Sequence, residues 1–208
     1  MPIAAVKAPD LAFLISVSGA GVSPAETGID HARHEMTASG MPAAAVEQVL
    51  RLMQLQYDYA RTGNGWDAYA ELRAALAAKM GAAPPNFPAT PDDPYWRFLR
   101  PIARYDPAPT IRQLRTPVLA IFGELDNNIL AEKNSAAWKA ALDAGGHPDY
   151  TLQILPNGNH YQLDAVRGTN AEMASLRRFV PAYAATVHQW LATRVRGLAP
   201  PAGSRSAS

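Results

Sequence analysis

The feature that most constrains the fold of this chain is an uninterrupted apolar run that ends on an acidic residue. Residues 117–122 read Pro-Val-Leu-Ala-Ile-Phe, and a short turn then leads to Asp126. The apolar part is too short for a helix and too continuous for a strand with one exposed face, so it predicts a central strand of a parallel sheet. Pro117 opens the strand, where its missing N–H does least harm. Because open α/β sheets bind ligands at the carboxyl ends of their strands, Asp126 is predicted to lie at a functional edge.

Two more segments predict strands of the same sheet. Residues 11–17 form a second continuous apolar run, which ends in Ser-Gly-Ala-Gly, and residues 150–155 alternate as in a strand nearer the sheet edge. The predicted fold class is therefore α/β, with about three parallel strands at 11–17, 117–122 and 150–155 and helices packed around them. After the third strand, a terminal helix is expected from about Ser175 to Arg196, with a kink at Pro181.

The segment between the first two strands is predicted to be a helical insertion. From Pro24 to about Pro109 the sequence is rich in alanine and holds no strand-like run. Ser23 as N-cap, Pro24 at the first position and Glu26 three residues after the cap indicate the start of its first helix. The further helices of the insertion are predicted at 41–63, at 64–81 with Asn64 as the cap, and at about 95–102.

The chain accordingly divides into three parts. Residues 1–23 and 110–198 make the core that contains the sheet, and residues 24–109 make a helical cap, or lid. Residues 199–208 are rich in Pro, Ala and Ser, and this composition predicts a disordered tail.

Composition narrows the class of function. The chain has 208 residues, of which 48% are hydrophobic and 18% charged, and this suits one globular core of good size. A formal net charge of +1 and the lack of any Lys/Arg run predict binding neither to nucleic acid nor to a membrane. The chain has no cysteine, which excludes disulfides, cysteine nucleophiles and thiolate metal sites. No cofactor or metal is expected.

The location of the protein is predicted from its first apolar run. Residues 11–17 are far too few to span a bilayer, and Asp10 directly before them argues against a signal peptide. A cytoplasmic location is therefore predicted, although a composition without cysteine is equally compatible with export.

A second titratable residue stands at a strand end, in the turn after the predicted strand at 150–155. Residues 157–159, Asn-Gly-Asn, lead into His160 and predict a flexible turn. In a parallel β-α-β unit both strands finish on the same edge of the sheet, so Asp126 and His160 are predicted to meet. The carboxylate would hold one nitrogen of the imidazole and leave the other to take a proton from a nucleophile. The spacing alone also allows a plainer interpretation, in which Asp126 caps the next helix and His160 is a loop residue.

The two strand ends also carry a family resemblance. Pro-Val-Leu-Ala-Ile-Phe-Gly-Glu-Leu-Asp-Asn-Asn-Ile from residue 117 and Leu-Pro-Asn-Gly-Asn-His up to His160 resemble the C-terminal half of the α/β-hydrolases, the superfamily of serine esterases, lipases and peptidases. Residues 13–24 are similar to the strand after the nucleophile helix in members related to serine aminopeptidases and acyl esterases. The resemblance covers residues 9 to about 195. It implies a serine hydrolase acting on an ester, amide or thioester, with Asp126 as triad acid, His160 as triad base and the cap as a lid.

The partner that the resemblance implies is a small-molecule ester or amide substrate. Its pocket should lie under the lid, and the candidates for lining it are three aromatic residues of the cap, Trp66, Tyr69 and Trp96. The same residues also suit the hydrophobic core of the cap, since large aromatic side chains dominate such cores.

The sequence departs from the family pattern at the nucleophile. Gly-x-Ser-x-Gly occurs in no window of the chain, and only ten residues precede the strand at 11–17, which should follow the nucleophile helix. Ser16, Ser18 and Ser23 are expected to be structural, and the sequence favours a fragment or truncated gene product with acid, base and lid. In the family the strand at 11–17 is paired on both sides, so here its exposed edge is expected to promote self-association.

Other residues suggest other interpretations. A degenerate hydrolase would be a non-catalytic binding or interaction module whose capped pocket holds a small apolar ligand. Gly-Ala-Gly at 19–21 suggests a dinucleotide site, but Pro24 replaces the third glycine of that fingerprint. His-Ala-Arg-His-Glu at 31–35 matches no zinc motif and predicts a solvated helix face. No acidic strand end is predicted beside His147 or His188, and both residues are expected at the surface.

Overall fold

The computed structural model describes residues 2–8, 10–81 and 86–195, and within them the chain has a mixed α/β fold built on one parallel sheet. The sheet has three strands in the order β1-β2-β3, with β1 at Leu14–Val17, β2 at Val118–Gly123 and β3 at Tyr150–Leu155. All residues of β2 are buried, as expected of a central strand. The predicted α/β class with three parallel strands is confirmed.

Two strands begin later than predicted, because Pro117 has no N–H to contribute to the ladder. The first bond between β1 and β2 runs from the N–H of Leu14 to the carbonyl of Pro117 (2.8 Å), so β1 starts at Leu14 instead of at residue 11. Val118 is the first residue of β2 with an N–H, and it donates to the segment before β3 (3.1 Å). β2 then extends one residue further than predicted, to Gly123, because the pairing with β3 continues there.

Helices occupy most of the remaining chain. The first, α1 (Pro2–Lys7), precedes β1 and is a helix that the sequence pattern does not predict. The others are α2 (Pro24–Ala38), α3 (Ala43–Thr62), α4 (Trp66–Met80), α5 (Tyr95–Arg104), α6 (Ala108–Arg112), α7 (Ala131–Ala144), a 3-10 helix (Asn170–Ser175) and α8 (Pro181–Ala192). None of the helices in the described ranges is long and apolar enough to cross a membrane.

The start of α2 is as predicted, whereas the start of α4 is not. Ser23 and Glu26 form a reciprocal capping box at the N-terminus of α2. The prediction that Asn64 caps α4 is wrong: the N-cap is Gly65, with a φ of 86° and no side-chain cap. Gly63, which ends α3, also has a left-handed φ, of 80°. The chain turns between the two helices through these glycines, because other residues adopt such φ values only with strain.

The terminal helix is shorter than predicted. It runs from Pro181 to Ala192, and the kink expected at Pro181 is absent because the proline occupies the first turn, where its fixed φ fits and no N–H is needed. The residue before it, Val180, belongs to an extended segment and donates its N–H to the carbonyl of Gln162 (2.9 Å). The tail predicted at 199–208 lies outside the described residues.

Each face of the sheet packs on a different set of helices. Alternate residues of β2, from Val118 to Phe122, face α6 and α7, where Trp138 is fully buried. The intervening residues face α8, which covers them with Trp190. Helices α3, α4 and α5 pack around a separate core of their own. Because consecutive strand residues point to opposite faces, this two-sided cover explains why all of β2 is buried.

Candidate active site

Asp126 lies in a tight turn directly after β2, at the carboxyl-terminal edge of the sheet. The N–H of Asp126 donates to the carbonyl of Gly123 (3.0 Å) and closes the turn. The side chain of Asp126 has no exposed surface, and its Oδ1 accepts from the N–H groups of Asn128 (2.9 Å) and Ile129 (2.8 Å). These charge-assisted bonds offset the cost of burying the carboxylate, and they shape the backbone that leads into α7.

His160 reaches this carboxylate from the turn after β3. Its Nδ1 lies 3.0 Å from Oδ2 and 3.2 Å from Oδ1 of Asp126, and 32% of its side-chain surface stays exposed. Since a carboxylate only accepts hydrogen bonds, Nδ1 carries the proton, and Nε2 of the neutral ring is left as an acceptor. The structure thus brings together the two residues that the sequence predicts to meet. The plainer interpretation, in which Asp126 caps the next helix, is wrong: the N-cap of α7 is Leu130, without a side-chain cap, and Oδ1 of Asp126 binds two N–H groups of the turn before the helix.

The end of β2 and the turn after β3 are in direct backbone contact. Leu125 donates its N–H to the carbonyl of Gly158 (2.8 Å). A side-chain carbon at Gly123 would lie 2.3 Å from the carbonyl oxygen of Gly158 and 2.5 Å from that of Asn159, which is closer than atoms can pack. Glycine at position 123 therefore permits the approach that brings the acid and the base together.

The turn around His160 is held by side-chain hydrogen bonds. Asn159 is 1% exposed, and its Oδ1 accepts from two backbone N–H groups, those two and four residues later, at 2.9 and 3.0 Å. Gln162 is fully buried with a left-handed φ of 59°, and its Nε2 donates to Oγ of Ser18 at the end of β1 (3.2 Å). The sequence reasoning missed both residues. The signal for the first is an asparagine in a turn, whose side chain commonly binds the backbone two residues on.

One side of helix α2 lines the crevice beside the acid–base pair. His31 places its Nδ1 3.2 Å from the carbonyl oxygen of Asn127, the residue after the acid. Glu35, one helical turn further, accepts a bond from the N–H of Asn170 (3.4 Å). The prediction that residues 31–35 form a solvated helix face is wrong for His31 and Glu35, which are half-buried in this crevice. Their spacing of four residues is the signal that they share one side of a helix.

The three aromatic residues expected to line the substrate pocket lie inside the cap. Tyr69 and Trp96 are 0% and 1% exposed, and Trp66 packs against both at ring-centroid distances of 5.5 and 6.2 Å. The hydroxyl of Tyr69 donates to the carbonyl of Pro88 (2.9 Å), and Nε1 of Trp96 donates to that of Thr90 (2.8 Å). These residues form the core of the cap. The crevice at the acid–base pair is lined instead by α2 and the loops after β2 and β3.

The three serines that were expected to be structural are either buried or used in hydrogen bonds of the fold. Ser16 is buried within β1. Ser18 follows the same strand with a left-handed φ of 48°, and its buried hydroxyl accepts from Gln162. Ser23 is occupied as the cap of α2.

His147 is buried, although the sequence predicts it at the surface. Only 7% of its surface is exposed, its Nε2 lies 2.9 Å from the carbonyl oxygen of Thr116, and its Nδ1 accepts from the N–H of Asp149 (3.2 Å). These bonds join the segments that lead into β2 and β3, so the ring is structural. In the described part of the chain, no group of three or more His, Asp or Glu side chains is arranged to hold a metal ion.

A separate cleft lies between the start of α2 and the ends of α3 and α5. It has a volume of about 450 Å³ and is lined by side chains of both charges and by tyrosines, among them Glu26, Asp58, Asp106, Arg61, Arg104 and Tyr57. Arg61 is paired with Asp58 at 3.0 Å, and burial raises the pKa of the Tyr57 hydroxyl. The cleft shares no lining residue with the crevice at the acid–base pair.

Comparison with known proteins identifies no relative of this chain. The chain matches no family model, no curated protein and no solved structure. An assignment of function therefore depends on the residues themselves and on their geometry.

Proposed function

We propose that this chain carries the triad acid, the triad base and the lid of a serine hydrolase of the α/β-hydrolase superfamily, a class that cleaves ester, amide or thioester bonds. In this proposal Asp126 is the acid of the catalytic triad, His160 is the base, and helices α2 to α5 form the lid. The observation that carries the proposal is the contact of His160 Nδ1 with the buried Asp126 carboxylate, at 3.0 and 3.2 Å, where two adjacent parallel strands end. The sequence resemblance around both residues supports the same assignment.

The geometry suits each member of the pair to a defined task. With its proton held on Nδ1 by Asp126, the ring of His160 presents Nε2 as a base that can take a proton from a serine hydroxyl. The imidazolium formed in that step is stabilised by the carboxylate, which is shielded from water and held in place by two backbone N–H donors. His160 can then return the proton to the leaving alkoxide, amine or thiolate.

The proposal does not assign the nucleophile to this chain, because Gly-x-Ser-x-Gly occurs in no window of its sequence. We therefore expect the pair to act on activated esters, with the imidazole as base for water or as the attacking group, rather than on unactivated substrates. A fluorophosphonate probe, which labels activated serines, should leave Ser16, Ser18 and Ser23 unmodified.

Hydrolysis of p-nitrophenyl acetate by the purified chain tests the proposal. We expect the chain to accelerate hydrolysis, and both His160→Gln and Asp126→Asn to lower the acceleration at least about tenfold, a modest share of what general acid–base catalysis contributes. His34→Gln removes an exposed imidazole of α2 and controls for catalysis by surface histidines, so it should change little. An equal rate in His160→Gln and in the unaltered chain would contradict the proposal.

A second candidate function is a non-catalytic module that binds a small ligand in the cleft between α2, α3 and α5. The observation in its favour is that this cleft of about 450 Å³ is lined by both acidic and basic side chains and is separate from the acid–base pair. Such a lining suits a zwitterionic ligand. Saturable binding of a dipeptide that Arg61→Ala weakens, together with hydrolysis rates unaffected by both site variants, would favour this function over the first.

A further inference from the structure

Helix α2 is the part of the cap that is bonded to the loops of the acid–base pair. Lys133 at the start of α7 binds Asp30 of α2 (2.7 Å) and also lies 3.6 Å from Glu26. His31 contacts the loop after β2, and Glu35 contacts the segment after β3. These contacts lie along one side of α2, so this one helix is bonded both to the loop after β2 and to the segment after β3.

The contact made by His31 differs from the others because its partner belongs to the turn that holds Asp126. Its Nδ1 lies 3.2 Å from the carbonyl oxygen of Asn127, and this residue directly follows Asp126. A carbonyl oxygen accepts but does not donate, so Nδ1 of His31 carries the proton of this bond. The next two N–H groups of the same turn, those of Asn128 and Ile129, hold Oδ1 of Asp126. The turn is therefore hydrogen-bonded on two sides. Its carbonyl at Asn127 binds His31, and its next two N–H groups bind the carboxylate of Asp126.

We propose that His31 is a positioning residue for the acid–base pair, through which the cap fixes the loop that holds Asp126 against His160. The inference rests on the proposed function, because it matters for catalysis only if the pair is the acid and base of a hydrolase. The inference also makes a structural prediction that does not depend on catalysis: removal of the bond from His31 to Asn127 loosens the contact between Asp126 and Nδ1 of His160. Simple docking of the cap is supplied elsewhere, by the ion pair of Lys133 with Asp30.

Substitutions at His31 can separate the bond from the bulk of the ring. His31→Asn keeps an amide donor close to the place of Nδ1, His31→Gln moves the donor to the place of Nε2, and His31→Leu removes it. His34→Leu, on the exposed side of the same helix, is the matched control, and Asp30→Asn weakens docking without touching the loop of the acid.

The readout is the proton on Nδ1 of His160, followed by nuclear magnetic resonance of the imidazoles in the full chain labelled with nitrogen-15. The bond to Asp126 should protect this proton from exchange and hold the neutral ring in the Nδ1–H form. We expect His31→Leu and His31→Gln to lose the protected resonance and to slow p-nitrophenyl acetate hydrolysis several-fold. We expect His31→Asn, His34→Leu and Asp30→Asn to retain both the resonance and the rate.

The outcomes separate this inference from the proposed function. If His31→Gln retains the resonance as well as His31→Asn does, or if Asp30→Asn loses it to the same extent, then His31 only docks the cap and the inference is overturned. The comparison of the Asn and Gln variants decides the matter even where His31→Leu does not fold. If instead Asp126→Asn leaves the His160 resonance unchanged, the pair itself is absent in solution and the proposed function fails with it.

Discussion

The two oxygens of Asp126 have different principal partners, and this difference keeps a charged side chain buried at the end of β2. Oδ1 takes two backbone N–H groups, and Oδ2 takes the nearer contact with His160. If only backbone N–H groups bound the carboxylate, its role would be to hold the turn. If only the imidazole bound it, its burial would depend on a single partner. With both sets of partners, the buried carboxylate of Asp126 does not depend on His160 alone for its hydrogen bonds.

Residues of this site differ in how far the sequence could predict them. Asp126 and His160 each follow a strand with a recognisable local pattern, so a rule about strand ends is enough to pair them. His31 meets Asn127 across 96 residues of chain, and such a contact leaves no periodic signal in the sequence. Gln162 is missed for a related reason, since its burial against Ser18 depends on a turn whose left-handed φ no local pattern marks.

Tyr69 should make the stability of the cap sensitive to alkaline pH. Burial raises the pKa of its hydroxyl above the ordinary value of 10.0, because the charged form is poorly solvated inside the cap. A raised pKa in the folded state means that the stabilising contribution is complete below the pKa of the unfolded chain and is lost as the pH rises towards the folded value. We expect the free energy of unfolding, measured with urea, to fall above pH ~10.

Two variants check the assignment to Tyr69. Tyr69→Phe loses the bond to the carbonyl of Pro88, so it should be less stable at neutral pH by about 1 kcal/mol but should show a weaker alkaline decline. Tyr161→Phe alters a tyrosine that is 58% exposed and should keep the full decline. An alkaline decline as steep in Tyr69→Phe as in the unaltered chain would rule out this source.

At the scale of elements, the site depends on how closely β2 approaches the turn after β3. Gly123→Ala would place a carbon 2.3 Å from the carbonyl oxygen of Gly158, so the turn must shift away from β2. We expect a loss of about 1–3 kcal/mol in the free energy of unfolding, as in other overpacked sites, and loss of the protected Nδ1–H resonance of His160. Gly40→Ala is the control.

Gly40→Ala is a suitable control because it should also lower the stability of the protein, but at a position where the added carbon meets no neighbouring atom. Gly40 has a φ of 80° and open space around it, so alanine there strains the backbone by about 1 kcal/mol without pressing on a neighbour. We expect Gly40→Ala to lower stability and to leave the His160 resonance in place. If both variants lose the resonance, general destabilisation rather than the close approach explains the loss.

Prolines explain much of the difference between the predicted and the observed elements. Pro181 was expected inside a long helix, yet the extended segment before it pairs with the turn around Gln162, and the helix starts at the proline. Pro117 shortens β1 and delays β2 because it offers no N–H. Periodicity located the buried faces of the elements, whereas the tertiary partners of single backbone groups decided where those elements end.

At the scale of the whole molecule, β1 leaves one edge of the sheet unpaired within the described part of the chain. Val17 of this strand is 37% exposed, and exposed strand edges promote pairing with other chains. We expect the protein to self-associate through β1, with a sedimentation coefficient that rises with concentration. Val17→Lys, which places a charge on the edge, should shift the protein towards the monomer.

Phe98→Lys provides the comparison for this prediction. Phe98 of α5 is 61% exposed, so the substitution adds the same charge and removes a larger apolar surface on a helix instead of a strand. It should leave the association unchanged. A sedimentation coefficient typical of a monomer at all concentrations in the unaltered chain would show that the edge of β1 does not drive association.

The connectivity of the sheet has a consequence for the order in which the molecule folds. β1 and β2 are hydrogen-bonded neighbours, yet the whole segment from Ser18 to Pro117 lies between them in the chain. Their pairing requires closure of that long loop, and the loss of chain entropy on closure precedes the gain from the ladder, which slows folding. Helices α3, α4 and α5 have a core made from contacts nearer in sequence, so this core is expected to form earlier. The expected order is therefore cap first and parallel sheet last, so that a mutation in the cap slows the assembly of a sheet that it does not touch.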